Sequence, residues 1–265
     1  MYSKFQLTKK YLHYYFTASN GKGHGIHSPF VFDFIINVLN DKKKYDCYND
    51  IEKRRLELLN DATVIEVEDF GAGSSVIKTN ARVVKKIARS SLKPKKFSQL
   101  LFRMVQYYQP KTIVELGTSF GITTAYLASG NTNAQVSTCE GAKNIAHIAK
   151  QSFEQLNLKN IILTEGDFTT TLPPLLNQLQ TIDLAFVDGN HRRLPTLDYF
   201  TQLLKVSTPS TILIFDDIHW SAEMEAAWNE IKQHPAVTLT IDLFFIGIVT
   251  LNNDIKVKQH FDIRF

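Results

Sequence analysis

Cysteine is scarce in this chain, with only Cys47 and Cys139 among 265 residues. Two cannot build a disulfide framework. Cys139 sits inside an apolar run and reads as a small hydrophobe, so a reducing, cytoplasmic setting is expected. No run reaches the roughly 18 uncharged apolar residues of a membrane span. The most apolar stretch, 239–251, is broken by Asp242 and Gly247. Lys4, Lys9 and Lys10 are not followed by the apolar core of a signal peptide, so no membrane partner is expected. A serine nucleophile elbow and a phosphate-binding GxxxxGK turn are both missing. No repeat or low-complexity tract stands out. A hydrophobic content of 44% with 21% charged residues argues against disorder and for a sizeable core.

The net charge is only +4, but it is unevenly spread. Residues 1–110 carry 19 Lys and Arg against 10 Asp and Glu, whereas 111–265 carry 11 against 16. The basic part could attract an anionic substrate or nucleic acid, or simply solvate amphipathic helices. Residues 1–93 read as a helical N-terminal extension, and 94–265 as the main domain. Helices are expected over 2–17, 30–39, 49–59, 79–90 and 94–108. The last places Phe97, Leu100, Leu101, Met104, Val105 and Tyr108 at helical spacing before Pro110 stops it. Phe30, Phe32, Phe34 and Ile35 are expected to need burial, against the main domain or a second copy of the chain. Two loops stand out, GKGHGIHSP (Gly21–Pro29) and VEDFGAGSS (Val67–Ser75), the second read as a loop rather than a nucleotide cradle, with a lid as one use for it. His24 and His27 in the first lack a third ligand in the sequence and read as loop residues.

From Lys111 the rhythm changes to strand and helix alternation. Strands are expected at 112–116, 135–139, 161–164, 184–187 and 211–215, with helices between them. Segments 237–243 and 245–251 leave no room for a crossover helix and should pair antiparallel, with 256–261 nearby. The fold class is therefore α/β: a seven-strand, mostly parallel, doubly wound Rossmann-like sheet with an antiparallel C-terminal hairpin.

The chemistry gathers at strand ends. TIVELGTSFG, Thr112–Gly121, reads as a strand, a glycine turn and a helix start, a cradle in which backbone can approach a ligand. The next strand ends in Glu140, 23 residues past Gly117 and near the offset at which an acid meets ribose hydroxyls. Two further apolar runs end in Asp188 and in Asp216-Asp217. Carboxyl ends of strands are where open α/β sheets bind ligands.

The ordered set VELGTSFG, STCEG, EGDF, IDLAFVDGNH and ILIFDDIHW resembles the class I S-adenosylmethionine-dependent methyltransferases over residues 94–251. Within them it is similar to the O-methyltransferase branch of the catechol and caffeoyl-CoA enzymes. GHGIHSPF is similar to the N-terminal region of some bacterial methyltransferase-like proteins. The resemblance implies that Glu115, Gly117, Thr118, Ser119 and Gly121 enclose the methionine part of the donor. Glu140 would accept the ribose hydroxyls, Asp167 and Phe168 would border the adenine, and Asp188 would face the donor's ammonium. It also implies a divalent cation, Mg2+ or another, on Asp188, Asp216 and Asp217, with His191 standing where the branch has its general-base lysine. Two departures are visible: Asp217 replaces the usual asparagine and His191 the usual lysine. The implied reaction is methylation of a small-molecule oxygen. A nucleic-acid methyltransferase and a silent donor-binding module are the alternatives, and a homodimer is one expected use of the extension. His219, Trp220, Arg192 and Arg193 stay open between acceptor contact and ordinary packing or solvation.

Overall fold

The computed structural model describes residues 1–67 and 80–265. Apart from Val67, the VEDFGAGSS segment lies outside the described residues. Two compact units emerge: Lys42–Gln178, and Met1–Asp41 together with Leu179–Phe265.

Two helices, α1 (Lys4–Thr17) and α2 (Pro29–Phe34), belong to the second unit, so the first opens with α3 (Cys47–Asn60). A short antiparallel pair follows, β1 (Val64–Glu66) with β2 (Ala81–Val83), Val64 opposite Val83. Only then does α4 (Val84–Ser91) begin. The helix expected from 79 thus starts five residues late, because the run Arg82-Val83 pairs with Val64-Ile65 first. Helix α5 (Lys95–Tyr108) buries Phe97, Leu100, Leu101, Met104 and Val105, and a left-handed Gln109 ends it. Strands β3 (Thr112–Leu116), β4 (Gln135–Glu140) and β5 (Ile161–Glu165) run parallel in that order. Ile113, Val114 and Leu116 are fully buried, as a strand covered on both faces requires. Helices α6 (Ile122–Gly130), α7 (Lys143–Gln155) and α8 (Phe168–Leu179) alternate with the strands. Ile51, Leu58, Val84, Ile87, Phe102, Ile122 and Tyr126 form one apolar cluster beneath them.

In the second unit, β6 (Ile182–Val187) and β7 (Ser207–Asp216) pair parallel, joined through α9 (Arg193–Leu204). After α10 (Ala222–Gln233), β8 (Leu239–Asp242) and β9 (Ile246–Thr250) form the expected antiparallel hairpin, and β9 lies antiparallel to β7. A last strand, β10 (Gln259–Asp262), pairs parallel to β8. The main sheet therefore has eight strands rather than seven, mostly parallel and flanked by helices. Gly247 in β9 is a packing requirement, since a Cβ there would meet the Trp228 ring at 2.7 Å.

Helix α1 (Lys4–Thr17) opens with a capping box: Ser3 accepts from the Gln6 N–H, and Gln6 accepts from the Ser3 N–H. Its inner face, Tyr14 with Leu7, Tyr11 and the following Ala18, packs on Phe244 and Phe245. The Tyr14 hydroxyl donates to the Ile263 carbonyl. Ser28-Pro29 starts α2 (Pro29–Phe34), which does not continue as one α-helix to Leu39. Residues Ile35–Leu39 instead make a π-helical turn. Asn40 closes it, with backbone and side-chain N–H groups both on the Ile35 carbonyl and a further side-chain bond to Gly21. Phe34 and Ile35 are fully buried but Phe32 is 47% exposed. Residues two apart face opposite ways on a helix, so burial of Phe30, Phe32 and Phe34 together is corrected. Among the described residues, no helix is long and apolar enough to cross a membrane.

Candidate active site

The glycine turn lies in the first unit. Parallel register sets Leu116 beside Cys139 and Glu140 beside Glu165, so these strands end level with one another. The N–H groups of Gly117 and Thr118 both donate to the Cys139 carbonyl, and the Gly166 N–H donates to that of Glu140. Gly117 (φ 102°), Ser119 (φ 49°) and Gly121 (φ 79°) all take left-handed backbone. At Gly121 a side chain is doubly excluded: the conformation disfavours it, and a Cβ would lie 2.5 Å from the Phe153 ring.

Glu140 is held through both of its carboxylate oxygens. Its Oε2 accepts from the Ser119 N–H at 2.8 Å and its Oε1 from the Ala142 N–H at 3.0 Å. Burial pushes its pKa up, against the backbone N–H groups of Ala142, Ser119 and Gly141, which pull it down. Each carboxylate oxygen retains a second lone pair, so both can still accept from a ligand. Glu115 has a different place. It is fully buried, and its Oε2 accepts from the hydroxyls of Thr124 (2.5 Å) and Thr138 (2.6 Å). With the Thr138 proton spent on Glu115, Thr118 donates to Thr138 at 2.6 Å. Glu115 therefore braces the turn from behind. Ser119 also meets Ser91 of α4, hydroxyl to hydroxyl, at 2.9 Å. Asp167 caps α8, its Oδ1 accepting from the N–H and hydroxyl of Thr169, with Phe168 half-buried next to it.

The acidic strand ends of the second unit form another group. One ligand atom from each of Asp188, His191 and Asp216 lies within 4.8 Å of the others. Asp188 follows β6, and Asp216 closes β7. Left-handed backbone at Asn190 (φ 67°) and His191 (φ 39°) curls the loop back, leaving His191 Nε2 3.6 Å from Asp188 Oδ1. Asp217 does not join this group. Its backbone is also left-handed (φ 54°), and its N–H donates to the Phe245 carbonyl at 2.6 Å. Of the expected trio, Asp188 and Asp216 lie in this group, and its third member is His191 rather than Asp217. Two carboxylates suit a hard divalent cation, which commonly keeps one or two carboxylates and several waters. The added imidazole also suits borderline metals.

Sequence reasoning missed a second network in this unit. His219 Nδ1 meets Glu225 at 3.1 Å and Nε2 meets Asp242 at 2.8 Å. Trp228 Nε1 donates to the same Asp242 oxygen, and the Phe244 N–H to the other. Glu225 also accepts from the Tyr2 hydroxyl (2.7 Å) and from Lys10 (2.9 Å), tying α1 to α10. Burial alone would lower the His219 pKa, but Asp242 and Glu225 outweigh it and raise it. The available signal was Asp242 itself, a lone charge in the most apolar stretch of the chain. Neither cysteine is a candidate nucleophile, since burial pushes both thiols up to about 11.

Residues 114–218 match the family described as a methyltransferase domain. A catechol O-methyltransferase of Niastella koreensis is 29% identical over 126 residues, 46% of this chain and 55% of that protein. A tRNA (guanine-N(7)-)-methyltransferase of Mycoplasma mobile is 32% identical over 108 residues, 38% of this chain and 54% of that one. The chain thus spans about half the length of the curated relatives it matches. The crystal structure of an O-methyltransferase from Bacillus cereus in complex with SAH has the same fold. Its TM-score is 0.54 at 19% identity, over 79% of this chain and 92% of that one. Residues 114–218 thus match the methyltransferase-domain family, and the chain carrying them resembles a class I S-adenosylmethionine-dependent O-methyltransferase.

Proposed function

We propose that this chain transfers a methyl group from S-adenosylmethionine to an oxygen of a small molecule, with help from a divalent cation. The observation that carries the donor half is the Glu140 carboxylate, held by Ser119 and Ala142 beside a left-handed glycine turn. A carboxylate fixed before the ligand arrives loses little freedom when it accepts two ribose hydroxyls. Gly117 and Gly121 let backbone close on the donor, Thr118 and Ser119 complete the wall, and Asp167 and Phe168 border the base.

The acceptor half rests on Asp188, His191 and Asp216. Asp188 and Asp216 would hold the cation, and His191 would take the proton from the acceptor hydroxyl. A bound divalent cation lowers the pKa of an oxygen that it ligates and neutralises the oxyanion. Asp188 carries the further proposed role of facing the donor's ammonium. Methyl transfer depends largely on bringing donor and acceptor into line, so positioning contributes more than any single acid or base.

The resemblance to the Mycoplasma mobile tRNA enzyme and the basic charge of residues 1–110 favour a second reading, methylation of nucleic acid. One experiment separates the two. Labelled S-adenosylmethionine is incubated with the protein and either a panel of phenols and catechols or total tRNA, with magnesium or with chelator. Label in a phenol, lost in chelator and restored by magnesium, supports the first reading. Label in tRNA, indifferent to chelator and falling with salt, supports the second. Tight donor binding without label in either pool would mark a silent binding module.

A further inference from the structure

Helix α1 presents a second, outward side that the fold does not use. Opposite its packed face, Phe5 (79% exposed), Leu12 (49%) and Phe16 (78%) lie at i, i+7 and i+11, a single line along the helix. Tyr15, 44% exposed, adjoins Phe16 edge to face at 5.7 Å. A solvent-facing line with two phenylalanines almost fully exposed is uncommon on a soluble surface and marks an interaction site.

The charges that α1 itself carries have one sign. Residues 1–32 include Lys4, Lys9, Lys10 and Lys22 and no Asp or Glu. Lys10 is turned inward onto Glu225. Lys4 and Lys9 are exposed along the outer side, and the Arg264 guanidinium sits 5.2 Å over the Tyr15 ring. An aromatic and aliphatic ridge edged by lysines is the pattern of a helix that lies in the plane of a lipid surface.

A second copy of the chain fits this surface poorly. Two such ridges side by side would bring lysines together with no acid on either helix to pair them. Four side chains also fall well short of the roughly 800 Å² per partner of a stable interface. The ridge is convex, so it suits insertion between headgroups better than the filling of a pocket. We infer that α1 is an interfacial helix, seating Phe5, Leu12 and Phe16 in an anionic lipid surface while Lys4 and Lys9 meet the headgroup phosphates. A single short helix gives weak, reversible attachment, since firm anchoring takes a second signal. The inner face stays on Phe244 throughout, so docking needs no unfolding of the unit.

Sedimentation of the full chain with vesicles tests this. Vesicles of phosphatidylcholine containing phosphatidylserine should pull the protein down, and phosphatidylcholine alone should not. Binding should weaken severalfold as salt is raised past the point where the screening length falls below about 10 Å. The Phe5→Ser/Phe16→Ser variant, altered only at exposed positions, should lose about tenfold or more of its binding from the lost apolar burial. Lys4→Glu/Lys9→Glu should lose the preference for phosphatidylserine. Equal sedimentation with both vesicle types, or none with either, overturns the inference. So does wild-type dimerisation by light scattering that the Phe5→Ser/Phe16→Ser variant abolishes, since the ridge would then be a contact between copies.

Discussion

The Ser119 N–H donates to Glu140 Oε2 across 2.8 Å, so the turn after β3 and the acid ending β4 are fixed to each other before any ligand is present. Glu140→Ala removes both the ribose acceptor and a tether of the turn. Loss of bonds to a charged group should weaken S-adenosylhomocysteine binding by about 1.5–3 kcal/mol. Titration calorimetry measures it. Unchanged affinity in a folded variant would remove Glu140 from the donor site.

Gly121→Ala should be worse for stability than its size suggests. Alanine at φ 79° costs about 1–2 kcal/mol, and the Phe153 ring must also move. A lower melting temperature is expected, together with weaker donor binding, because Gly121 is the N-cap of α6. A variant that melts like the parent would show that Phe153 yields freely.

The roles of Asp188, Asp216 and His191 can be separated with manganese as a paramagnetic probe. Asp188→Asn and Asp216→Asn should each abolish tight binding seen by electron paramagnetic resonance. If His191 is the base, His191→Gln keeps the manganese signal and loses methyl transfer. Loss of the signal in His191→Gln would instead make it a ligand, and an unaltered signal in both aspartate variants would refute the site.

The His219 network sets a pH window for stability. The His219 pKa is raised, so its contribution is complete below about 6.5 and is lost as pH climbs through the folded value. The Glu225 pKa is lowered: burial opposes this, but Tyr2, Lys10 and His219 prevail. Its contribution is complete above about 4.3 and is lost as pH falls through the folded value. Thermal stability should therefore peak between these limits. His219→Gln should flatten the alkaline limb and Glu225→Gln the acidic one. A parent profile without an alkaline limb would mean that His219 is not held as the cation.

Much of this was legible in the sequence where period and punctuation agree. Alternating strands and helices from Thr112 onward, the Gly117–Gly121 turn and the hairpin at 239–250 all follow local rules of spacing and glycine. What was not legible depends on partners far along the chain. Ala81–Val83 reads as helix until Val64–Glu66 is beside it. The π-helical turn at Ile35 depends on Asn40 reaching Gly21 as well as Ile35. Strand β10 lies within the stretch expected near the hairpin, but it is short and half polar, and only its pairing with β8 fixes its bounds. At the site, Asp216 and Asp217 are equivalent in sequence. The left-handed backbone at Asp217 separates them, and a similar turn at Asn190 and His191 brings the imidazole in.

The unit that holds Asp188, His191 and Asp216 is built from both ends of the chain, and this bears on its synthesis. Tyr14 has its hydroxyl partner Ile263 249 positions further along. At about 5–20 residues per second, α1 waits roughly 10–50 s on the ribosome before that contact exists. During that interval Tyr14 and Ala18 have no Phe244 to cover them, while the segment 42–178 is already complete. A nascent chain stalled before β8 would thus carry a finished glycine turn and a helix uncovered on both sides, the form most exposed to chaperones and proteases.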